Sequence, residues 1–172
     1  MADQSNFMES QQIINVEKFA RSNELRKGQV DTSILPRLKG LINTSTQLLD
    51  YSIEGSLTTR REPQIKCTIR GSVYLQCQRC LGDILQPIEV DSTVVFVQDE
   101  EKLPLIEDED QAIDYVVLPD SLNLAELIEE EILLALPLVP RHEEGKCIEL
   151  SAQQDSGKKE SPFAVLAKLK QS

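Results

Sequence analysis

Ile65-Lys66-Cys67-Thr68-Ile69-Arg70-Gly71-Ser72-Val73-Tyr74-Leu75-Gln76-Cys77 alternates along its whole length. Ile65, Cys67, Ile69, Gly71, Val73, Leu75 and Cys77 fall on one side, and Lys66, Thr68, Arg70, Ser72, Tyr74 and Gln76 on the other. Successive side chains of a strand point to opposite faces, so this alternation predicts a half-buried β-strand with one face on a core. Two neighbouring stretches repeat the pattern. In 49–57, Leu49, Tyr51, Ile53, Gly55 and Leu57 alternate with Asp50, Ser52, Glu54 and Ser56. In 88–97, Ile88, Val90, Ser92, Val94 and Phe96 oppose Glu89, Asp91, Thr93, Val95 and Val97. The short connection Gln78-Arg79-Cys80-Leu81-Gly82-Asp83 suits a hairpin between adjacent antiparallel strands.

Outward from these strands the pattern changes to helices and loops. Residues 15–28 read as a short helix, with Asn15 as its N-cap and Gly28 as its stop. Ser33 to Ile42 read as a second, with Pro36 near its start. An acidic stretch, 98–114, holds eight acids and reads as a loop that runs into a short strand at Tyr115–Leu118. Asn123 and Glu126 form a capping box for the clearest helix, whose apolar face is Leu124, Leu127, Ile128, Ile132, Ala135 and Leu136. Glu129, Glu130 and Glu131 interrupt that face; most of them are expected in solvent, and one set among so many apolar residues would call for a cationic partner. Pro137 ends the helix and Pro140 stiffens the exit. The expected fold is therefore α+β: an antiparallel β-sheet flanked by short helices, with a tethered C-terminal helix. Its parts are a flexible N-terminus (1–14), the α+β domain (15–142), a polar linker (143–160) and an amphipathic C-terminal helix (161–172). That last helix would either latch onto its own domain or dock a partner.

The composition fits such a domain: of 172 residues, 40% are hydrophobic and 27% charged. No apolar run reaches the roughly 18–20 residues of a membrane span. The first ten residues lack the charged start and apolar centre of a signal peptide, so a cytoplasmic location is expected. Aromatic residues are only 4%, which disfavours base-stacking platforms for single-stranded nucleic acid. The net charge of −11 is uneven: residues 1–86 hold 11 basic and 9 acidic residues, and residues 87–172 hold 7 and 20. Most of the surface would repel a phosphate backbone. Direct RNA contact is expected only from the first half, through Arg21, Arg26, Lys27, Arg37, Lys39, Arg60, Arg61 and Arg79, each of which could equally be an ordinary surface charge.

Four cysteines are present, and a cytosolic chain does not use them as a disulfide framework. Cys67 shares the inward register and reads as a core residue. Cys77 and Cys80, in Cys-Gln-Arg-Cys at a strand end, can chelate one tetrahedral zinc because a turn brings both sulfurs to one side. His142 and Cys147 are the candidates to complete the set, with 61 residues between Cys80 and His142 and four between His142 and Cys147. A redox pair and inert structural thiols are the competing readings; a thioredoxin-type site would place its CxxC at a helix N-terminus. Catalytic signatures are missing: there is one histidine, no GxSxG, no HExxH and no glycine-rich phosphate loop. No enzyme and no small-molecule substrate is expected.

Three stretches taken together carry a resemblance: Leu75-Gln76-Cys77-Gln78-Arg79-Cys80-Leu81; Glu129 to His142, leading to Cys147; and Ser161-Pro162-Phe163-Ala164-Val165-Leu166-Ala167-Lys168-Leu169-Lys170. The chain resembles the YceD family, the large ribosomal RNA subunit accumulation proteins. The resemblance implies a non-enzymatic role in the synthesis, processing or stability of 23S ribosomal RNA, and so in large-subunit biogenesis. It also implies a four-cysteine metal site, from which this chain departs by offering His142 with Cys147. Because the chain is acidic, its expected partner is a ribosomal protein or assembly factor, with the 23S rRNA precursor contacted directly or indirectly. The alternatives are a small zinc-binding or redox protein using Cys77 and Cys80, and an acidic chaperone for a basic ribosomal protein.

Overall fold

The structure, a computed structural model, describes residues 13–42, 47–104 and 113–147. The expected C-terminal helix, most of the expected linker and residues 1–12 lie outside the described residues. In chain order the elements are β1 (Ile13–Ile14), α1 (Val16–Arg21), β2 (Leu25–Asp31), β3 (Leu48–Leu57), β4 (Pro63–Gln76), β5 (Asp83–Val97), β6 (Ile113–Val117), β7 (Leu122–Asn123) and α2 (Leu124–Ala135). Strands β2-β3-β4-β5-β6 form one sheet in that order, and β1 pairs with β7 beside it.

The alternation read from the sequence is the register of the sheet, except at the end of β5, where Val95 and Val97, on the face opposite Val94 and Phe96, are buried as well. Ile65, Cys67, Ile69, Val73 and Leu75 of β4 are buried, together with Leu49, Tyr51 and Ile53 of β3 and Ile88, Val90, Val94 and Phe96 of β5. They form one core with Val16 and Phe19 of α1, Leu35 and Leu38 of the following turns, and Leu124, Ile128 and Ile132 of α2. The helices and turns thus cover one face of the sheet, the two-layer solution for strands with a single apolar side. At Gly55 the α1 backbone comes so close that a Cβ would sit 2.5 Å from Phe19 Cδ1 and 2.8 Å from its carbonyl oxygen.

Three expectations change. The helix expected over 15–28 stops at Arg21. Asn15 does cap it, accepting the Lys18 N–H at 2.9 Å, but Asn23 turns the chain at φ 48°. Leu25–Asp31 then runs as an edge strand against β3, with Gly28 opposite Tyr51. Pairing with β3 overrides the weak helix propensity of this polar segment. The helix expected over 33–42 is two 3₁₀ turns, Thr32–Ile34 and Pro36–Leu38, because Pro36 interrupts the ladder of N–H donors. Finally, β6 pairs parallel to β5, with Thr93 opposite Ile113 and Val97 opposite Val117. A parallel partner requires the chain to return to the starting end of its neighbour, a crossover of roughly a dozen residues or more. The segment 98–112, the core of the acidic stretch, spans that return.

Strand β4 pairs with β3 only from Pro63 to Arg70, and β5 pairs with β6 only from Thr93. Gly71–Gln76 and Asp83–Ile88 therefore continue as a two-stranded ribbon beyond the sheet. A two-stranded ribbon is marginal in water without further support. Its tip is where the chemistry gathers.

Candidate metal centre

The tip is a tight turn. The Cys77 N–H donates to Gly82 O at 2.8 Å and the Leu81 N–H to Cys77 O at 2.9 Å, while Leu81 takes the left-handed backbone conformation at φ 59°. Both sulfurs of Cys77 and Cys80 emerge on the same side. The segment that leaves α2 is then strapped across the ribbon, with the Gln78 N–H donating to Pro140 O at 2.9 Å. That strap carries His142 and Cys147 to the turn.

The four expected ligand atoms converge: the metal-binding atoms of Cys77, Cys80, His142 and Cys147 all lie within 4.8 Å of one another. Cys80 Sγ is 3.4 Å from His142 Nδ1, Cys147 Sγ is 3.9 Å from the same nitrogen, and the Cys77 and Cys147 sulfurs are 3.9 Å apart. A tetrahedral zinc, with Zn–S about 2.3 Å and Zn–N about 2.0–2.1 Å, sets sulfur–sulfur separations near ~3.8 Å and sulfur–nitrogen separations near ~3.5 Å. The donor set and its spacing fit a Cys₃His zinc site.

The surroundings fit as well. His142 Nε2 lies 3.0 Å from the carbonyl oxygen of Asp83. A carbonyl only accepts, so Nε2 carries a proton and Nδ1 is the ring nitrogen turned to the sulfurs. A backbone carbonyl fixing the far nitrogen in this way is the usual outer support of a metal-binding histidine. Arg79 Nε donates to Cys147 Sγ at 3.0 Å.

The same contacts set the protonation of the thiols. The N–H of Cys80, with those of Arg79 and His142, lowers Cys77 to about 5 against the opposing effect of burial. Cys147 is lowered chiefly by Arg79. At Cys80 the Gly82 N–H favours the thiolate, but burial and the neighbouring sulfurs outweigh it and raise the thiol. His142 is raised by its hydrogen bonds to Cys147 and Cys77. Low-pKa thiols among backbone donors are ready ligands, since the thiolate is the binding form. Cys67 is different: completely buried, its thiol is pushed up to about 12 by desolvation, with Glu131 adding to the effect.

The expected cationic residues do not form one patch. Arg60 and Arg61 lie in the β3–β4 turn, and Arg79 lies in the β4–β5 turn at the opposite end of β4, a separation of roughly 45 Å at the rise of an extended strand. Arg21 ends α1 and pairs with Glu17 at 3.7 Å, and Arg26 pairs with Glu24 at 3.1 Å. Arg37 is exposed within the second 3₁₀ turn.

Two acids behave otherwise than expected. Glu129 and Glu131 are buried, while Glu130 alone of the three is exposed. The Glu129 partner is not a cation: Oε1 accepts the backbone N–H groups of Arg37, at 2.5 Å, and Leu38, at 3.3 Å. It caps the Pro36–Leu38 turn, which has no side-chain cap of its own. Helical periodicity carried a signal for Glu131, which sits three and four residues from Ile128 and Ala135 on the apolar face.

The fold and the tip together define a small α+β protein in which three cysteines and a histidine converge at the end of a hairpin. The sequence comparisons say which one. Residues 65–170 match the family described as Large ribosomal RNA subunit accumulation protein YceD, and the chain belongs to that family. A relative from Haemophilus influenzae, itself described as Large ribosomal RNA subunit accumulation protein YceD, is 34% identical over 122 residues, which is 64% of this chain and 69% of that protein. No solved structure matches the chain.

Proposed function

We propose that the protein is a non-catalytic cytoplasmic factor for accumulation of the large-subunit 23S ribosomal RNA. In this reading it acts by holding a ribosomal protein, an assembly factor or the rRNA precursor. Zinc bound by Cys77, Cys80, His142 and Cys147 fixes the hairpin tip that presents the binding surface. Family membership carries the ribosomal part of the reading. The structural role of the metal rests on the donor set: four protein ligands leave no open coordination position for substrate or water, the mark of structural and not catalytic zinc. When bound, the ion supplies folding free energy to the tip of the ribbon, which lies beyond its last core residues, Val73 and Leu75.

Two other readings have less support. A redox pair would sit at a helix N-terminus, whereas Cys77 follows β4 and Cys80 precedes β5. An acidic chaperone would use the acids of 98–114 and of α2, and of the latter Glu129 and Glu131 are buried. No helix among the described residues is long and apolar enough to cross a membrane.

Depletion of the protein tests the ribosomal reading. The expected result is a fall in the ratio of 23S to 16S RNA and of large to small subunits; unchanged ratios overturn it. Metal analysis of the purified chain tests the cluster. One equivalent of zinc in the wild type, lost in Cys80→Ser, is expected, and metal-free wild type refutes the zinc.

A further inference from the structure

Beside the cluster runs an apolar groove of about 320 Å³, lined chiefly by Leu41, Leu75, Leu133, Leu136, Leu138 and Pro140. It joins the end of α2, the strap and the inner face of the ribbon. Leu138 is 100% exposed and Leu41 53% exposed, so the groove presents large aliphatic side chains to water, the mark of a surface made to be covered.

We propose that the groove is the seat of this chain's own C-terminal segment, Ser161–Lys170, which lies outside the described residues. The first argument is the tether. The described chain ends at Cys147, in the cluster, and Gln78, next to Cys77, is a groove-lining residue. The tail therefore departs from beside the groove. Residues 148–162 span at most about 50 Å when fully extended, ample for a return, and a short tether gives an effective concentration in the millimolar range. The second argument is shape. Phe163, Val165, Leu166 and Leu169 lie within one broad stripe at helical spacing, the pattern that fills an apolar groove. The family match covers residues 65–170 and so takes in both the ribbon and the tail. This inference rests on where Cys147 sits and not on zinc, so it survives or fails separately from the metal.

Photo-crosslinking in the full-length protein tests it. A benzoylphenylalanine is placed at position 138, and a control at the exposed Val116 of β6. The purified protein is illuminated at submicromolar concentration, and adducts are mapped by peptide mass. The expected result is an adduct within one chain from position 138 to residues 161–170. It should be absent from the control and at least ten-fold weaker in the double variant Leu166→Asp/Leu169→Asp. Adducts between two copies assign the groove to a dimer and overturn the proposal. So do adducts from position 138 only to other parts of the same chain, or a tail adduct that the double variant leaves unchanged. Leu41→Asp, at an exposed position, provides a second variant on the groove side and should reduce the same adduct.

Discussion

A single carboxyl illustrates how burial reshapes the protein's dependence on pH. Burial raises Glu131 above the usual carboxylate range, with Asp114 and Glu130 adding to the effect and the Ser92 hydroxyl opposing it. That hydroxyl is buried without a hydrogen bond of full geometry. The folded protein therefore holds the proton more tightly than the unfolded chain. The resulting stability is fully present below the unfolded value, about 4.3, and is lost as pH rises through the folded value. Glu131→Gln should accordingly raise the melting temperature at pH 7.5, with the gain disappearing near pH 4; an equal gain at both would show that ionisation is not the cause. Its neighbour Glu129 should behave oppositely. Glu129→Ala strands the N–H groups of Arg37 and Leu38, at a cost of about 2 kcal/mol. Glu129→Gln retains an acceptor oxygen and should lose less in the same thermal unfolding measurement.

At the scale of elements, the ribbon depends on its tip. Gly71–Gln76 and Asp83–Ile88 have no outer strand partner apart from the Leu75–Ile42 bridge, so beyond the core residues Val73 and Leu75 the tip is braced by the strap and the converging cysteines and histidine. Removing zinc from the protein with a chelator, or substituting Cys80→Ser, should accelerate amide exchange at Val73 and Leu75 at least ten-fold and leave Ile53 and Ile65 protected. Uniform loss across all four would mean that the tip is not a separable unit. Gly55→Ala tests the other end of the sheet. Its methyl would collide with Phe19, and overpacking of that kind costs about 1–3 kcal/mol, measurable as a lower urea midpoint. The central strands were legible because half-burial imprints a period of two on the sequence. The segment Leu25–Asp31 was not: as an edge strand it buries only Val30 fully, so its outer residues are free to be basic, and Gly28 looked like a helix stop. In the cluster, residue types and local spacing could be read, but whether the distant pair closes on the first depended on a strap whose path no local pattern encodes.

For the whole molecule, charge and topology act together. Because β6 pairs parallel to β5, the chain must return to the starting end of β5 between Val97 and Ile113. The cations of the first half are dispersed between the two ends of β4. Binding of the purified protein to naked ribosomal RNA should therefore be weak, with a log–log salt slope shallower than about −3, the value for three to four phosphate contacts. A steeper slope would reveal a concentrated basic face. The cluster also joins distant parts of the chain: Cys80 and Cys147 are 67 residues apart. At synthesis rates of about 5–20 residues per second, the second half of the ligand set is made roughly 3–13 seconds after the first. On the zinc reading proposed above, the nascent polypeptide displays throughout that interval two thiols whose partners, His142 and Cys147, are not yet made. Translation speed through the acidic half thereby sets how long the newborn site stays open to oxidation or to capture by the wrong ion.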